Sequence, residues 1–380
     1  MAAATTSAPG AMPARAVRRV PLDFLDLEGW SEDAHDLAFA AFARSCRHSL
    51  RFAAAASTGL RRVAELARAE GLLDVGRLDT TRCRAFFEAH FHPVRIEPPT
   101  GQGFLTGYFE PDVEGSRVPT DRFRYPLYAR PDDLIDVDPA AMPVGWQPER
   151  RFGRAADGQI VPYFDRAAIE AGALAGRGLE LVYLEDPVEA YIIHVQGSAR
   201  IRLAEGGLMR VAYSAKAGHR YTSLGRLLIE RGVASAEAMT LDVLGDWLRT
   251  SGEAGRALMR ENRSYIFFHE LEDTGLDPDL GAIAAAGVQL TPGRSIAVDA
   301  RETAYGLPVW IEASLPIGQG GAIEPFRRLM VAQDTGSAII GPARADLFIG
   351  LGSAAGTVAG RIRHAAEAFV VLEPAAGDRP

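Results

Sequence analysis

The sequence contains little cysteine and has no apolar run long enough to cross a membrane. Cys46 and Cys83 are its two cysteines in 380 residues. Two thiols are too few for a disulfide framework or a cysteine-ligated zinc site, whereas a single bridge between them stays open. Residues 1–20 are small and polar, then basic, without the apolar stretch of a signal peptide and without a cysteine that could carry a lipid. No export signal is visible in the sequence.

A basic surface stripe is also missing. The chain has 41 Lys and Arg residues against 49 Asp and Glu residues, a net charge of −8, and its arginines are scattered among acidic residues. This pattern predicts no nucleic-acid partner and favours a neutral or mixed-charge ligand. A hydrophobic fraction of 47% over this length predicts a folded protein of two or three domains.

The distribution of apolar residues predicts a mainly β protein with a helical N-terminal segment. Helical periodicity begins after Ser31, the predicted N-cap of the first helix, and continues in segments 60–70 and 80–91. Short β-like runs follow at 103–109, 125–128, 179–183, 191–198 and 209–213. A helical stretch at 224–262 then precedes strands predicted at 295–298, 308–313, 329–333, 346–349 and 369–372.

Three aspartates near the C-terminus lie in apolar, glycine-rich surroundings: Asp299, Asp334 and Asp346. Apolar surroundings disfavour the charged form of a carboxyl group, and a neighbouring carboxylate raises the pKa further. Such groups stay protonated near neutral pH, which is the state needed to protonate a glycosidic oxygen. The cluster therefore predicts a carboxylate active site for breaking a glycosidic bond.

The same region also contains the Asp-Thr-Gly pattern of an aspartic protease, at 334–336 and again at 273–275. Two features argue against a protease. The two aspartates are only 61 residues apart, too close for one in each of two lobes, and Asp273 lies in an acidic segment with no apolar strand before it.

A collinear series of motifs resembles the family of membrane-bound lytic murein transglycosylases A. The matching segments are LTGYFEP at 105–111, YPLY at 125–128, VPYFDR at 161–166, HVQGS at 194–198, YSAKAGH at 213–219, NRSYIFF at 262–268, LMVAQDTGSAI at 329–339 and ADLFIG at 345–350. The resemblance covers roughly residues 25–373. A lipid-bearing cysteine, common in the family, is missing.

The resemblance implies a double-psi β-barrel in residues 256–380, a 3D domain named for its three aspartates. Residues 105–255 are expected to form an inserted, barrel-like β domain that binds glycan. Residues 1–104 are expected to pack with the C-terminal barrel, leaving a groove between the two domains. The resemblance further implies that Asp346 is the single catalytic acid and base, with Asp334 and Asp299 holding position and charge around it. The residues expected to contact sugar are Thr106, Tyr108, Gln196, Ser198, Tyr213 and Lys216.

The activity implied is that of an exotransglycosylase, a lyase that cleaves the β-1,4 bond after N-acetylmuramic acid and forms 1,6-anhydro-N-acetylmuramic acid. Peptidoglycan strands are the expected partner, with other cell-wall enzymes as possible further ones, and no cofactor or metal is implied. The expected location is the periplasm or the outer membrane. Two alternatives stay open: a glycan hydrolase that uses two of the aspartates, and a noncatalytic wall-binding protein.

Overall fold

The computed structural model describes residues 16–52, 57–74, 76, 78–99, 101–138, 140, 142–146, 151–156, 158–272 and 275–375. The helices in these ranges are α1 (His35–Arg51), α2 (Thr58–Ala69), α3 (Thr80–His90), α4 (Arg166–Ala168), α5 (Pro187–Gln196), α6 (Leu224–Glu230), α7 (Leu241–Thr250), α8 (Glu253–Glu261) and α9 (Gly352–Ala359). Within the described residues, no helix is both long and apolar enough to cross a bilayer.

The strands divide among three sheets. Those of the first are β1 (Arg18–Pro21), β2 (Phe91–Glu97), β3 (Gly103–Glu110), β13 (Ser295–Val298), β14 (Pro308–Leu315), β15 (Glu324–Asp334), β16 (Arg344–Leu351), β17 (Arg363–Ala366) and β18 (Ala368–Pro374). Those of the second are β4 (Asp112–Ser116), β5 (Tyr125–Tyr128), β9 (Glu180–Leu184), β10 (Ser198–Leu203), β11 (Leu208–Lys216) and β12 (Ile266–Glu270), and those of the third are β6 (Leu134–Asp136), β7 (Phe152–Ala156) and β8 (Gln159–Val161).

The first sheet is mixed and has the order β1-β2-β18-β14-β15-β13-β16-β3-β17. Its parallel pairs are β13 with β15 and β16 with β3, and its other neighbours are antiparallel. The mainly β architecture with helices confirms the predicted fold class at that level. Within the described residues the hydrogen-bonded order ends at β1 and β17, so closure into a double-psi β-barrel stays a prediction.

The helical opening of the chain packs on this sheet. Phe39, Phe42 and Phe87 of α1 and α3 form one core with Trp310 of β14. A buried bidentate ion pair between Asp33 and Arg294, with N to O distances of 2.7 and 2.8 Å, joins the segment before α1 to the residue before β13. The burial of this aromatic face drives the association, because apolar area removed from water stabilises roughly in proportion to that area.

Two local predictions from the sequence were wrong. The segment 191–198 is not a strand, because residues 187–196 form α5. Asp186 caps this helix by accepting from the Val188 N–H, Pro187 occupies its first turn, and Gly197 ends it at a φ of 90°. Ser31 does not cap the first helix either, since it lies in a 3₁₀ turn (Trp30–Glu32) and α1 begins at His35.

The helices predicted at 60–70, 80–91 and 224–262 are observed as α2, α3 and α6 to α8, and the five C-terminal strands fall where the sequence predicts them, apart from shifts of up to five residues at their ends. The sequence did not predict α4 and α9. Cys46 and Cys83 are both buried and free, so the bridge that the sequence left open is not formed. Burial raises the pKa of both thiols.

The chain passes from the first sheet to the second at the end of β3. Glu110, the last residue of β3, is fully buried and accepts two hydrogen bonds from Arg210 of β11, at 3.0 and 2.8 Å. Sheet membership differs by one strand from the predicted boundaries at 104/105 and 255/256, because β3 pairs in the first sheet and β12 pairs in the second. The buried ion pair between Glu110 and Arg210 joins the first sheet to the second.

Candidate active site

Asp334 and Asp346 lie on opposite sides of one short strand of the first sheet. Ala297 of β13 is the register partner of Asp334 on β15 and of Asp346 on β16. Register partners project from the same face of a sheet, and two strand spacings separate the Cα atoms of the two aspartates by about 10 Å. Because the residue between them is alanine, both carboxyl groups have room above the sheet.

Asp346 is half-buried and is held by the neighbouring strand. Its register partner on β3 is Thr106, whose hydroxyl donates to Asp346 Oδ1 at 2.5 Å. Burial raises the pKa of Asp346 to about 6, against the lowering effects of the Arg344 charge and the Thr106 hydrogen bond, and the charge of Asp334 adds a smaller increase. A carboxyl group with this pKa is protonated in half of the molecules at pH 6 and in about a tenth of them at pH 7.

Asp334 is also half-buried, and burial raises its pKa. Tyr108 of β3 donates its hydroxyl to Asp334 Oδ2 at 3.0 Å, and the Ala285 N–H donates to Oδ1 at 3.3 Å. The Tyr108 side chain is buried and packs against Phe348, with ring centroids 5.2 Å apart and the rings tilted by 55°. Burial and the charges of Asp334 and Asp346 raise the pKa of Tyr108, so its hydroxyl stays neutral and donates to Asp334.

Asp299, the third aspartate, has a different environment. Arg301 donates to both of its carboxylate oxygens, at 2.9 and 2.7 Å, and the Gly341 N–H donates to Oδ2 at 2.8 Å. The Arg301 hydrogen bonds, together with those from backbone N–H groups, lower the pKa of Asp299 to about 2. Asp299 is therefore a permanent anion, and its hydrogen bond to Gly341 holds the loop that connects Asp334 to β16.

The other residues expected to contact sugar lie in three places. Gln196, at the end of α5, accepts a hydrogen bond from the Phe109 N–H at 3.0 Å, which joins α5 to β3. Ser198 hydrogen-bonds to the buried Glu110. Tyr213 on β11 is 44% exposed, and Lys216 at the end of the same strand donates to Ser337 Oγ at 3.0 Å. The last contact joins the second sheet to the loop after Asp334.

A cavity of about 260 Å³ opens beside Thr106. It separates the end of α9 and the start of β17 from α5, α6 and α7. Its polar lining includes Thr106, Gln196 and Tyr221, and its apolar lining includes Leu241 and Leu244. Thr106 lines this cavity and hydrogen-bonds to Asp346, so a protonatable carboxyl group lies next to a concave surface of mixed polarity, which suits a neutral ligand with hydroxyl and amide groups.

Two residues of the site were missed at the level of sequence: Arg344 and Tyr221. Arg344 lies two positions before Asp346, and the period-2 alternation of a strand would have placed both on one face. Tyr221 lies just after a family motif, and the charge of Asp346 contributes to its raised pKa. Asp273, the second aspartate of the protease alternative, lies outside the described residues. Among the residues described, no cluster of three or more His, Cys, Asp and Glu side chains could hold a metal ion.

Comparison with known proteins gives consistent matches. A family model of the MltA specific insert domain matches residues 104–269, and one of the 3D domain matches residues 294–372. The crystal structure of a membrane-bound lytic murein transglycosylase from Agrobacterium tumefaciens is 39% identical with a TM-score of 0.82, over 94% of this chain and 97% of that one. MltA from Neisseria gonorrhoeae, in its monoclinic form, is 27% identical with a TM-score of 0.76, over 96% and 95% of the two chains.

Among curated proteins, membrane-bound lytic murein transglycosylase A of Vibrio cholerae is 32% identical over 269 residues. The match covers 70% of this chain and 64% of that relative. It therefore spans slightly less than two thirds of the relative's length.

Proposed function

Because the chain belongs to the family of membrane-bound lytic murein transglycosylases A, we propose that it is a peptidoglycan lytic transglycosylase. The observation that carries the proposal is the Asp346 carboxyl group. It is half-buried beside Asp334, and its pKa is raised to about 6. A group in this state can give a proton near neutral pH and take one back.

In the proposed reaction, Asp346 protonates the bridging oxygen of the β-1,4 bond that follows N-acetylmuramic acid. The bond from the anomeric carbon to that oxygen breaks, and the C6 hydroxyl of the same sugar forms a new bond to the anomeric carbon. The hydroxyl proton returns to Asp346. No water is consumed, and the product carries an anhydro end. The attacking hydroxyl belongs to the substrate itself, so it acts at high effective molarity and no second nucleophilic carboxylate is required.

The other carboxylates have separate roles in this proposal. Asp334, with Tyr108 as its neutral donor, provides negative charge near the anomeric carbon as positive charge develops there. Asp299 keeps the loop after Asp334 in place through Gly341. Gln196 and Tyr213 contact the glycan strand, Gln196 from the cavity wall and Tyr213 from the exposed face of β11. Ser198, whose hydroxyl is bonded to Glu110, supports the chain that follows Gln196.

The finer points of architecture and location belong to the same proposal. We place an inserted glycan-binding domain between a helical N-terminal segment and a double-psi β-barrel. Two parallel strand pairs, β3 with β16 and β13 with β15, support the proposed barrel. The substrate is a peptidoglycan glycan strand in the groove between the domains. The periplasm or the outer membrane is the proposed location, since the relatives are named membrane-bound enzymes.

Mass spectrometry of the muropeptides released from purified peptidoglycan tests the proposal. We expect anhydro ends and no new reducing ends, and the Asp346→Asn variant serves as the matched control for contaminating activity. New reducing ends would instead indicate a hydrolase that uses both Asp346 and Asp334. Retained binding to peptidoglycan with no released product would indicate a noncatalytic wall-binding protein.

A further inference from the structure

A chain of hydrogen bonds leads to Asp346 from a residue that is not among the three aspartates. The Arg344 guanidinium donates from Nη2 to Thr106 Oγ1 at 2.8 Å, and the Thr106 hydroxyl donates to Asp346 Oδ1 at 2.5 Å. Arg344 is held in turn by the Ala345 carbonyl oxygen, to which Nη1 donates, and by the Phe104 ring, whose centroid lies 5.3 Å from the guanidinium carbon. The guanidinium is therefore fixed on two sides.

The chemistry of these groups sets the direction of the chain. An arginine side chain has only donors, so the Thr106 oxygen accepts from it with one of its two lone pairs. Among the residues that the structure describes, Asp346 Oδ1 is the acceptor for the single Thr106 proton. A proton on Oδ1 would have to be accepted by the second lone pair of the Thr106 oxygen, and the Thr106 proton would then lose this acceptor. Within the described residues, Oδ2 makes no hydrogen bond, so the acidic proton has its place there.

We propose that Arg344 is a positioning residue for the acid: it commits the Thr106 proton to Oδ1 and leaves Oδ2 as the atom that carries and delivers the catalytic proton. The transfer of that proton to a glycosidic oxygen rests on the proposed function, whereas its position on Oδ2 rests on the hydrogen bonds alone. It also gives Thr106 a role that differs from sugar binding, because its hydroxyl accepts from Arg344 and donates to Asp346 within the protein.

The titratable and charged groups that face Asp346 come from four elements. They are Arg344 on its own strand, Tyr108 on β3, Asp334 on β15 and Tyr221 in the segment after β11. The Arg344 charge and the Thr106 hydrogen bond both favour the ionised form of Asp346, whereas burial and Asp334 favour the neutral form. Removing either Arg344 or Thr106 should therefore raise the pKa of Asp346.

The first test measures this titration directly, without substrate. The carboxyl carbons of aspartate are labelled with ¹³C, the Asp346 signal is identified by its loss in Asp346→Asn, and its pKa is followed by NMR. We expect an upward shift of about one pH unit in Thr106→Val and in Arg344→Gln, the size expected when a charge-assisted hydrogen bond is lost. Thr106→Ser keeps the hydroxyl and should restore the wild-type value. An unchanged pKa in either Thr106→Val or Arg344→Gln overturns the proposal.

A matched control separates this arrangement from a general loss of positive charge. Arg363 on β17 is the other register partner of Thr106, and its side chain is exposed. Arg363→Gln should leave the pKa of Asp346 unchanged. The effect of Arg344→Gln should also be smaller in the Thr106→Val background than in the wild type, because the part that Thr106 transmits is lost there and only the direct effect of the Arg344 charge remains. Equal shifts in Arg363→Gln and Arg344→Gln, or fully additive shifts in the double variant, would contradict the proposal.

The second test uses the release of anhydro product. Arg344→Gln should lower kcat about tenfold or more with little change in KM, since a misplaced proton slows the chemical step. The alkaline limb of its pH profile should move upward together with the NMR pKa. A purely structural role would lower the amount of folded enzyme without moving this limb, and that result overturns the inference. If the variants show the expected NMR shifts but the wild type releases no anhydro product, the hydrogen-bond assignment stands and the proposed function falls.

Discussion

Replacing Asp346 by Asn should make the protein more stable and inactive, and the gain in stability should depend on pH. The folded-state pKa of Asp346 is about 6, against 3.8 for an exposed aspartate. The folded protein therefore binds a proton more tightly than the unfolded chain does, and it loses stability as the pH rises from about 4 through 6. Two pKa units correspond to about 3 kcal/mol, which is the upper limit of the penalty above pH 6.

Asn is isosteric with Asp and carries no charge, so it avoids this penalty while its carbonyl oxygen still accepts from Thr106. In urea unfolding at pH 7.5, the free energy of unfolding of Asp346→Asn should exceed that of the wild type by up to about 3 kcal/mol. At pH 4.5 the difference should be about 1 kcal/mol. Release of anhydro muropeptides should fall by about 10² or more, because the general acid is lost. Lower stability than the wild type at pH 7.5, or a difference that does not change with pH, would refute the reasoning.

Asp299→Asn is the matched control, because the pKa of Asp299 is shifted in the opposite direction, to about 2. A lowered pKa gives stability that is present above about pH 4 and is lost as the pH falls through 2. The full shift corresponds to about 2 kcal/mol, reduced to about 1 kcal/mol because the Arg301 side chain is 73% exposed and solvent screens the pair. Asp299→Asn should therefore destabilise the protein by nearly the same amount at pH 4.5 and pH 7.5.

Three further predictions follow from the same contacts. The initial rate at which the wild type clears a peptidoglycan suspension should fall about tenfold per pH unit above pH 6, as the Asp346 proton is lost, and a flat profile to pH 8 would exclude Asp346 as the acid. Glu110→Gln should cost about 3 to 5 kcal/mol in urea unfolding because it leaves Arg210 buried without a counter-ion, and a loss below about 1 kcal/mol would show that this pair does not fix the two sheets. Gln196→Ala should weaken binding of a soluble muro-oligosaccharide by about fivefold in calorimetry, because a cavity-lining amide is lost. Val233 is exposed and lies outside the cavity, so Val233→Ala should leave the affinity unchanged. Equal affinities of the two variants would show that the glycan binds elsewhere.

Local patterns in the sequence were sufficient for many elements of the fold. Short apolar runs bounded by glycine and proline turns predicted β13, β14, β15, β16 and β18, because a strand that is buried on both faces has no polar side to alternate with. The pattern failed at 191–198, where a short apolar run, Tyr191 to Ile193 with Val195, fits a strand and a buried helix equally well. The deciding signals were at its ends, namely Asp186 and Pro187 before the run and Gly197 near its end.

The sequence by itself determined the family, the mainly β architecture and the identity of the three aspartates, since these depend on residue order and on local periodicity. Only the tertiary structure decided the environment, and with it the pKa, of each aspartate. Thr106 hydrogen-bonds to Asp346 across 240 positions of the chain through the pairing of β3 with β16. Burial raises the pKa of Asp346, whereas the hydrogen bonds from Arg301 lower that of Asp299. Strand register and burial arise from contacts between distant segments, and no local pattern in the sequence specifies them.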